Sequence, residues 1–214
     1  MAAERLNSFL RFLGRLVARG LYRLSVSGAE NVPRSGGVLL CMNHLGGGDG
    51  PLVVAFCARP LAGIGKAEIL TWPLAGWIAR MYGMLPVRRG EPDRATLQAA
   101  LDVLRGGGAL LIAPEGRESP TGALILAKDG AAFLALNSRV PIVPVALTGA
   151  TWQAVVAQWR RLRRARVTLT FGVPFDLPPL ASRKDATTLI MRQIAGLLPP
   201  EYQGVYREAG EEAG

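Results

Sequence analysis

His44 is the only histidine in the 214-residue chain, and it follows an apolar run that reads GGVLLCM. Three glycines, Gly46 to Gly48, precede Asp49 and allow a sharp turn, because glycine enters positive φ at little steric cost. A carboxylate that accepts a hydrogen bond from one imidazole nitrogen leaves the other free to take a proton from a hydroxyl. The spacing therefore predicts a general base oriented by Asp49 or, as the plainer alternative, a histidine that only stabilises a turn.

Charged residues follow two further apolar runs. Glu115, Gly116 and Arg117 come directly after the run LLIAP. Arg88 and Arg89 come directly after the run MLPV, and adjacent guanidinium groups suit the oxygens of a phosphate, with a solvated basic turn as the alternative. The chain contains neither the G-x-S-x-G turn of serine hydrolases nor the G-x-x-x-x-G-K-[ST] phosphate loop, so neither of these classes is indicated.

The elements that must position these residues follow an α/β pattern, in which short apolar runs bounded by glycine or proline alternate with helical periodicity. We predict a central mixed sheet flanked by helices, with the candidate residues on loops at strand ends. The predicted strands are 24–27, 38–42, 61–66, 84–87, 109–113, 142–147 and 167–171. The predicted helices are 51–58, 69–82, 92–104, 128–137, 152–162 and 184–197.

Residues 1–24 have the pattern of a basic amphipathic helix. Arg11, Arg15, Arg19 and Arg23 recur every four residues, and leucine, valine and phenylalanine occupy the other side. Such a helix can cover the core and leave its arginines in water, or it can lie in the plane of an anionic lipid surface. The arginines also argue against a secretory signal. We predict an amphipathic membrane-associating helix over 1–24, the α/β domain over 25–200 and a flexible tail over 201–214.

Composition narrows the class of partner. The net charge of +9 predicts an anionic partner, which could be nucleic acid, an acidic carrier protein or a membrane surface. Half the residues are hydrophobic, yet no apolar run reaches the roughly eighteen residues of a spanning helix. Cys41 and Cys57 lie in apolar surroundings without the spacing of metal ligands, so we expect buried thiols in a reducing compartment and no metal.

Four motifs in order resemble one family. H-x-x-x-x-D, G-x-x-x-V-x-R, P-E-G-x-x-S and V-P-I-V-P-V lie between Val38 and Phe175, and together they resemble the glycerolipid acyltransferases, typified by 1-acylglycerol-3-phosphate acyltransferase. The resemblance implies transfer of a fatty acyl group from a thioester of coenzyme A or acyl carrier protein to the hydroxyl of a lysophospholipid. It implies that His44 is the general base and that Asp49 orients it, with no covalent acyl-enzyme and no other cofactor. Backbone N–H groups of Gly46 to Gly48 are candidate donors for the oxyanion.

The resemblance also implies a substrate-binding set. The family positions that bind the acceptor phosphate fall on Arg89 and Glu115, with Gly116 beside them. Lys66 and the run WPLAGW match the segment between the first two motifs, and we add Arg88 and Arg117 as neighbouring cations.

One motif departs from the family pattern. The family usually reads F-P-E-G-T-R-S where this chain reads APEGRES, so Glu118 stands where an arginine is expected and Arg117 stands one residue earlier. A carboxylate there would repel a phosphate dianion. An acceptor with an amine-bearing headgroup, such as a lyso-aminolipid, is therefore an alternative to a phosphate-bearing one.

A second basic stretch, WRRLRRARV over 159–167, can be a solvated helix face or a contact for lipid headgroups. No nucleic-acid-binding motif accompanies it, so we expect no nucleic-acid partner. We predict a peripheral protein on the cytoplasmic face of an anionic membrane, where its lipid substrates are found. The alternative to an enzyme is a noncatalytic lipid-binding protein with the same fold.

Overall fold

The computed structural model describes residues 2–87, 94–179 and 181–207. Arg88 and Arg89 lie outside these ranges. Within them the strands are β1 (Tyr22–Ser27), β2 (Val38–Met42), β3 (Ala62–Lys66), β4 (Leu85–Val87), β5 (Ala109–Ile112), β6 (Ile142–Thr148) and β7 (Ala165–Phe171). The helices are α1 (Ala2–Leu21), α2 (Asp49–Phe56), α3 (Pro73–Met81), α4 (Arg94–Arg105), α5 (Gly130–Ser138), α6 (Trp152–Trp159) and α7 (Arg183–Ala195).

The strands form one sheet with the order β1-β7-β6-β2-β5-β3-β4. Neighbouring strands are parallel except β6 and β7, which pair antiparallel, so the predicted mixed sheet is confirmed. β2 is buried along its whole length, which explains why its sequence VLLCM shows no alternation of apolar and polar residues. Because β2 and β5 are adjacent and parallel, the loops that follow them meet at one edge of the sheet.

Helices cover both faces of the sheet and make two apolar layers. On one face, α1 and α2 contribute Ala18, Leu52 and Phe56 to a cluster with residues of the sheet. On the other face, α4, α5 and α7 contribute buried side chains that include Leu104 and Ile190. The predicted α/β fold with a sheet flanked by helices is therefore confirmed.

The predicted helix over 69–82 is wrong as a single element. A 3₁₀ turn spans Ala67–Thr71, and α3 begins only at Pro73. Trp72 between them is extended, because the proline ring disfavours helical geometry in the residue before it, while proline itself suits the first helical turn.

Both ends of the predicted domain also differ from the prediction. α1 ends at Leu21, because Tyr22 already pairs with Ala165 as the first residue of β1. Within the predicted flexible tail, residues 201–207 make contacts with the domain: Tyr202 and Tyr206 pack against the core, and the Tyr206 hydroxyl accepts a hydrogen bond from Ala127 N at 3.1 Å. The rest of that predicted tail lies outside the described residues.

Helix α1 docks on α2 through its arginine side. An N–H of Arg11 donates to the carbonyl of Cys57, and Arg15 Nε donates to Ala55 O at 2.6 Å. The Arg15 guanidinium also lies over the Phe56 ring. The last carbonyls of a helix lack partners within it and carry the negative end of its dipole, which favours cations there. Arg11 and Arg15 are therefore docked on the domain, whereas Arg19 and Arg23 are exposed, so the alternative in which all four arginines stay in water is wrong.

The apolar side of α1 faces away from the domain. Phe9, Phe12 and Leu16 are 59%, 64% and 60% exposed, whereas Ala18 is buried. No helix in the described part of the chain is long and apolar enough to span a membrane.

Candidate active site

The histidine and the aspartate meet at the carboxyl edge of the sheet. His44 lies two residues after the end of β2, and Asp49 is the first residue of α2. His44 Nδ1 lies 3.0 Å from Asp49 Oδ2, and the aspartate is fully buried while the imidazole is 15% exposed. With the Nδ1 proton assigned to this bond, Nε2 remains as the acceptor of a further proton.

The Asp49 carboxylate also organises the glycine turn. Its Oδ2 atom accepts from the backbone N–H groups of Leu45 at 2.5 Å and Gly46 at 2.8 Å. Gly46 N–H is therefore already used, contrary to its predicted availability for an oxyanion. The N–H groups of Gly47 and Gly48 make no hydrogen bond within the described ranges, and they remain the candidate oxyanion donors.

Glu115 is held inside the protein and not presented to solvent. It is 2% exposed, its Oε1 accepts from His44 N at 2.9 Å, and its Oε2 accepts from Ile125 N at 2.9 Å. Burial raises the pKa of Glu115, and these two hydrogen bonds oppose that rise. Because both oxygens are engaged, the geometry fits a residue that positions the His44 loop better than the acceptor contact that the resemblance implied.

Two more residues, which the sequence did not single out as site residues, hold His44 and its strand in place. Ser119 N donates to His44 O at 2.8 Å, and Asn43 exchanges two hydrogen bonds with the Leu147 backbone, at 2.9 and 2.8 Å. Both residues are buried, and buried polar groups in proteins are normally paired in this way. A polar residue between the strand and the histidine was the available signal for Asn43, and the P-E-G-x-x-S motif was the signal for Ser119.

The turn after Glu115 presents cations. Gly116 has a φ of +68°, which suits glycine, and Arg117 and Glu118 are exposed. A Cβ on Gly116 would lie 3.3 Å from Lys128 Cδ, so the lysine stem runs across this glycine. Lys128 was missed because nothing in its sequence context distinguishes it from other surface lysines. Arg117 and Lys128 are thus two cations beside the residue that holds His44.

The other predicted cations belong to strands farther along the sheet. Lys66 ends β3, is exposed, and places its Nζ 3.4 Å from Glu68 Oε1. β5 separates β3 from β2, so Lys66 and His44 follow strands about 10 Å apart. Arg88 and Arg89 come after β4, beyond β3, outside the described residues. Lys66 therefore shares the edge of the sheet with His44 without touching the histidine loop.

An open cavity lies behind the glycine turn, beside the dyad. Its wall is mostly apolar, and it is lined by Tyr22, Gly46, Gly47, Gly48, Asp49, Leu52, Ala150, Trp152 and Val155. The described residues include no group of three side chains that could hold a metal ion. Both cysteines are buried, and burial raises the pKa of the Cys41 and Cys57 thiols, so neither is an activated nucleophile.

Comparison with known proteins identifies the family. The family model described as Acyltransferase matches residues 23–148, more than half of the chain, and the chain therefore belongs to this family. A lyso-ornithine lipid O-acyltransferase of Pseudomonas aeruginosa is 37% identical over 138 residues, which are 64% of this chain and 52% of that protein. A 1-acyl-sn-glycerol-3-phosphate acyltransferase of Streptococcus pneumoniae is 28% identical over 162 residues, which are 74% of this chain and 56% of that protein. The chain thus spans about half the length of these curated relatives.

A solved structure shows the same fold. The crystal structure of the 1-acyl-sn-glycerophosphate acyltransferase PlsC from Thermotoga maritima superposes with a TM-score of 0.70 at 23% identity, covering 92% of this chain and 82% of that one. The family membership expected from the four motifs is confirmed.

Proposed function

We propose that the protein transfers a fatty acyl group from an acyl thioester, on coenzyme A or acyl carrier protein, to the hydroxyl of a lysophospholipid such as 1-acylglycerol-3-phosphate. The observation that carries the proposal is the 3.0 Å contact between His44 Nδ1 and Asp49 Oδ2, within a chain of the acyltransferase family. A buried carboxylate on Nδ1 prepares Nε2 to act as a base.

The proposed reaction is direct transfer. His44 Nε2 takes the proton of the acceptor hydroxyl as that oxygen attacks the thioester carbonyl, and the Gly47 and Gly48 N–H groups stabilise the oxyanion. Collapse of the tetrahedral intermediate breaks the carbon–sulfur bond, and the leaving thiolate takes the proton from His44. The products are the acylated lipid and the free thiol.

The cations around the turn support an anionic acceptor. Lys66, Arg117 and Lys128 are all exposed, and we assign them to the acceptor phosphate together with Arg88 and Arg89. The acyl chain and the phosphate would then extend from opposite sides of His44, because the cavity residues Ala150 and Trp152 follow β6, whereas Arg117 follows β5 and Lys66 ends β3, on the other side of β2.

A second acceptor class has its own support. Glu118 is exposed in the turn where the family pattern has an arginine, and the Pseudomonas aeruginosa relative is named for a lyso-ornithine lipid. A carboxylate at this place would bind an ammonium group and repel a phosphate dianion. An amine-bearing lysolipid is therefore the second candidate acceptor.

The test is transfer from a labelled acyl thioester to phosphate-bearing and amine-bearing lysolipids, by the wild-type protein and by His44→Ala. We expect the substitution to lower kcat/KM by roughly 10²–10⁴-fold, the usual contribution of a general base. Thermal unfolding of both proteins controls for folding. Transfer only to an amine-bearing acceptor would select the second candidate. Equal rates in both proteins, or no transfer to any acceptor, would contradict the proposed acyltransferase activity. Either result would favour a noncatalytic lipid-binding protein.

We further propose that the protein binds peripherally to the cytoplasmic face of an anionic membrane. The exposed apolar side of α1 supports this, since aromatic and aliphatic side chains of a surface helix enter the headgroup boundary. The basic turn 160–163 lies at the carboxyl end of α1, where Trp159 Nε1 donates to Leu21 O at 3.5 Å. In this turn, Leu162 is 97% exposed between arginines. With Arg11 and Arg15 engaged on α2, this turn supplies the cations for anionic headgroups.

A further inference from the structure

Helix α1 and the residue after it reach both ends of α2. At the carboxyl end of α2, Arg11 and Arg15 donate to the carbonyls of Cys57 and Ala55. At the amino end, Tyr22 approaches the glycine turn, since a Cβ on Gly48 would lie 3.8 Å from the Tyr22 hydroxyl oxygen. α1 therefore runs antiparallel to α2 and ends beside Asp49, the residue that orients His44.

The two oxygens of the Asp49 carboxylate differ. Oδ2 lies within hydrogen-bond distance of His44 Nδ1 and of two backbone N–H groups. Oδ1 is buried and has no hydrogen-bond partner in the described part of the chain. A buried carboxylate oxygen without a donor is costly, so a donor placed beside Oδ1 would make a favourable hydrogen bond.

Tyr22 lines the same cavity as Asp49, and its hydroxyl oxygen approaches Gly48 in the wall of that cavity. Burial, and after it the negative charge of Asp49, raises the pKa of Tyr22, so this hydroxyl stays protonated and able to donate. Catalytic hydrogen bonds are often long in the absence of substrate and shorten in the reacting complex.

We propose that Tyr22 is a positioning residue that donates to Asp49 Oδ1, directly or through one bridging water, and so holds the carboxylate against His44. The inference rests on the proposed acyl transfer and adds a role for α1 that lipid binding alone does not include. Because Tyr22, the first residue of β1, follows Leu21 directly, the residue that supports the base is joined to the helix that we propose to contact lipid.

Two titratable groups interact with the dyad, namely Tyr22 from β1 and Glu115 from the loop after β5. Arg117 and Lys128 lie farther out, in and beside the exposed turn after Glu115. The α2, α6 and β6 sides of the cavity contribute uncharged residues, namely Leu52, Ala150, Trp152 and Val155. Glu115 is held by hydrogen bonds from His44 N and Ile125 N, which a change at Tyr22 leaves in place, so such a change reports on Asp49.

The test compares Tyr22→Phe with Tyr82→Phe. Tyr82 is a matched control, because its hydroxyl also contacts α1, at Asn7 O 3.5 Å away, but at the end of α1 far from the dyad. We expect Tyr22→Phe to lower kcat by about tenfold with KM changed by less than about twofold, as for loss of one hydrogen bond to a charged group. We expect Tyr82→Phe to retain wild-type kcat.

The pH profile separates positioning from a structural effect. Loss of the Tyr22 donor removes a hydrogen bond from the support of the dyad, so the pH profile of kcat should shift in Tyr22→Phe and stay unchanged in Tyr82→Phe. An unchanged kcat and pH profile in Tyr22→Phe would overturn the inference. Equal losses in both variants with a lowered melting temperature would overturn it as well. Absence of transfer by the wild-type protein would instead refute the proposed function.

Discussion

Helices α1 and α4 are both amphipathic, yet they present opposite faces to the domain. α4 buries its apolar side, with Leu101 and Leu104 in the core beneath it. α1 exposes Phe9, Phe12 and most of its leucines, and docks through arginines. The partner surface explains the difference, because α4 meets an apolar face of the sheet whereas α1 meets the unpaired carbonyls at the end of α2. An amphipathic pattern therefore does not by itself predict which side of a helix packs on the domain.

The largest expected difference between the two helices is in stability. Leu104→Ala should lower the free energy of unfolding by about 2–5 kcal/mol, because Leu104 is 1% exposed and its loss leaves a cavity. Leu16→Ala should change it by less than about 0.5 kcal/mol, because Leu16 is exposed. Urea unfolding of both variants measures this contrast. A large loss in Leu16→Ala would show that α1 docks through its apolar side in solution.

The next largest expected difference is in binding to lipid vesicles. Phe9→Ser combined with Phe12→Ser should weaken binding to vesicles of anionic phospholipid by at least about tenfold, because two apolar side chains no longer enter the boundary region. Co-sedimentation with vesicles measures the effect.

The matched control is Val173→Ser with Val205→Ser, two apolar residues that are exposed outside α1. We expect this variant to bind vesicles as the wild type does. Equal weakening in both variants, or none in either, would mean that the apolar side of α1 is not the lipid contact.

The smallest expected effect is on the docking of α1. Arg15→Leu removes the 2.6 Å hydrogen bond to Ala55 O and the contact with the Phe56 ring, and should cost about 1–2 kcal/mol of unfolding free energy. Arg161→Leu, at an exposed arginine, is the control and should cost almost nothing. Identical unfolding curves for the two variants would argue that α1 is not held by its arginines.

Much of the fold could be predicted because strand and helix periodicity is local. The seven strands were located within about two residues, since most are short apolar runs near glycine or proline, and β1 and β7 alternate apolar and polar residues. The split of the helix at Trp72 was missed, although Pro73 carried the signal. The turns at 200–206 were missed because Tyr202 and Tyr206 are ordered by distant contacts with the core.

The site could be predicted in part for the same reason. His44 and Asp49 lie on one short turn, so their spacing was enough to bring them together. Glu115 was singled out, but its bonds to His44 N and Ile125 N depend on the adjacency of β2 and β5, which no local pattern contains. Tyr22 was not singled out, because only the packing of α1 along α2 places it beside Gly48.

The sequence by itself determined the α/β class, the strands, the basic amphipathic helix and the pairing of His44 with Asp49, because each depends on residues close together along the chain. Only the tertiary structure decided which side of α1 docks, that both Glu115 oxygens are engaged and that Tyr22 shares a cavity with Asp49. The physical reason is that these contacts join segments distant in sequence, and burial and unpaired carbonyls exist only after those segments have packed.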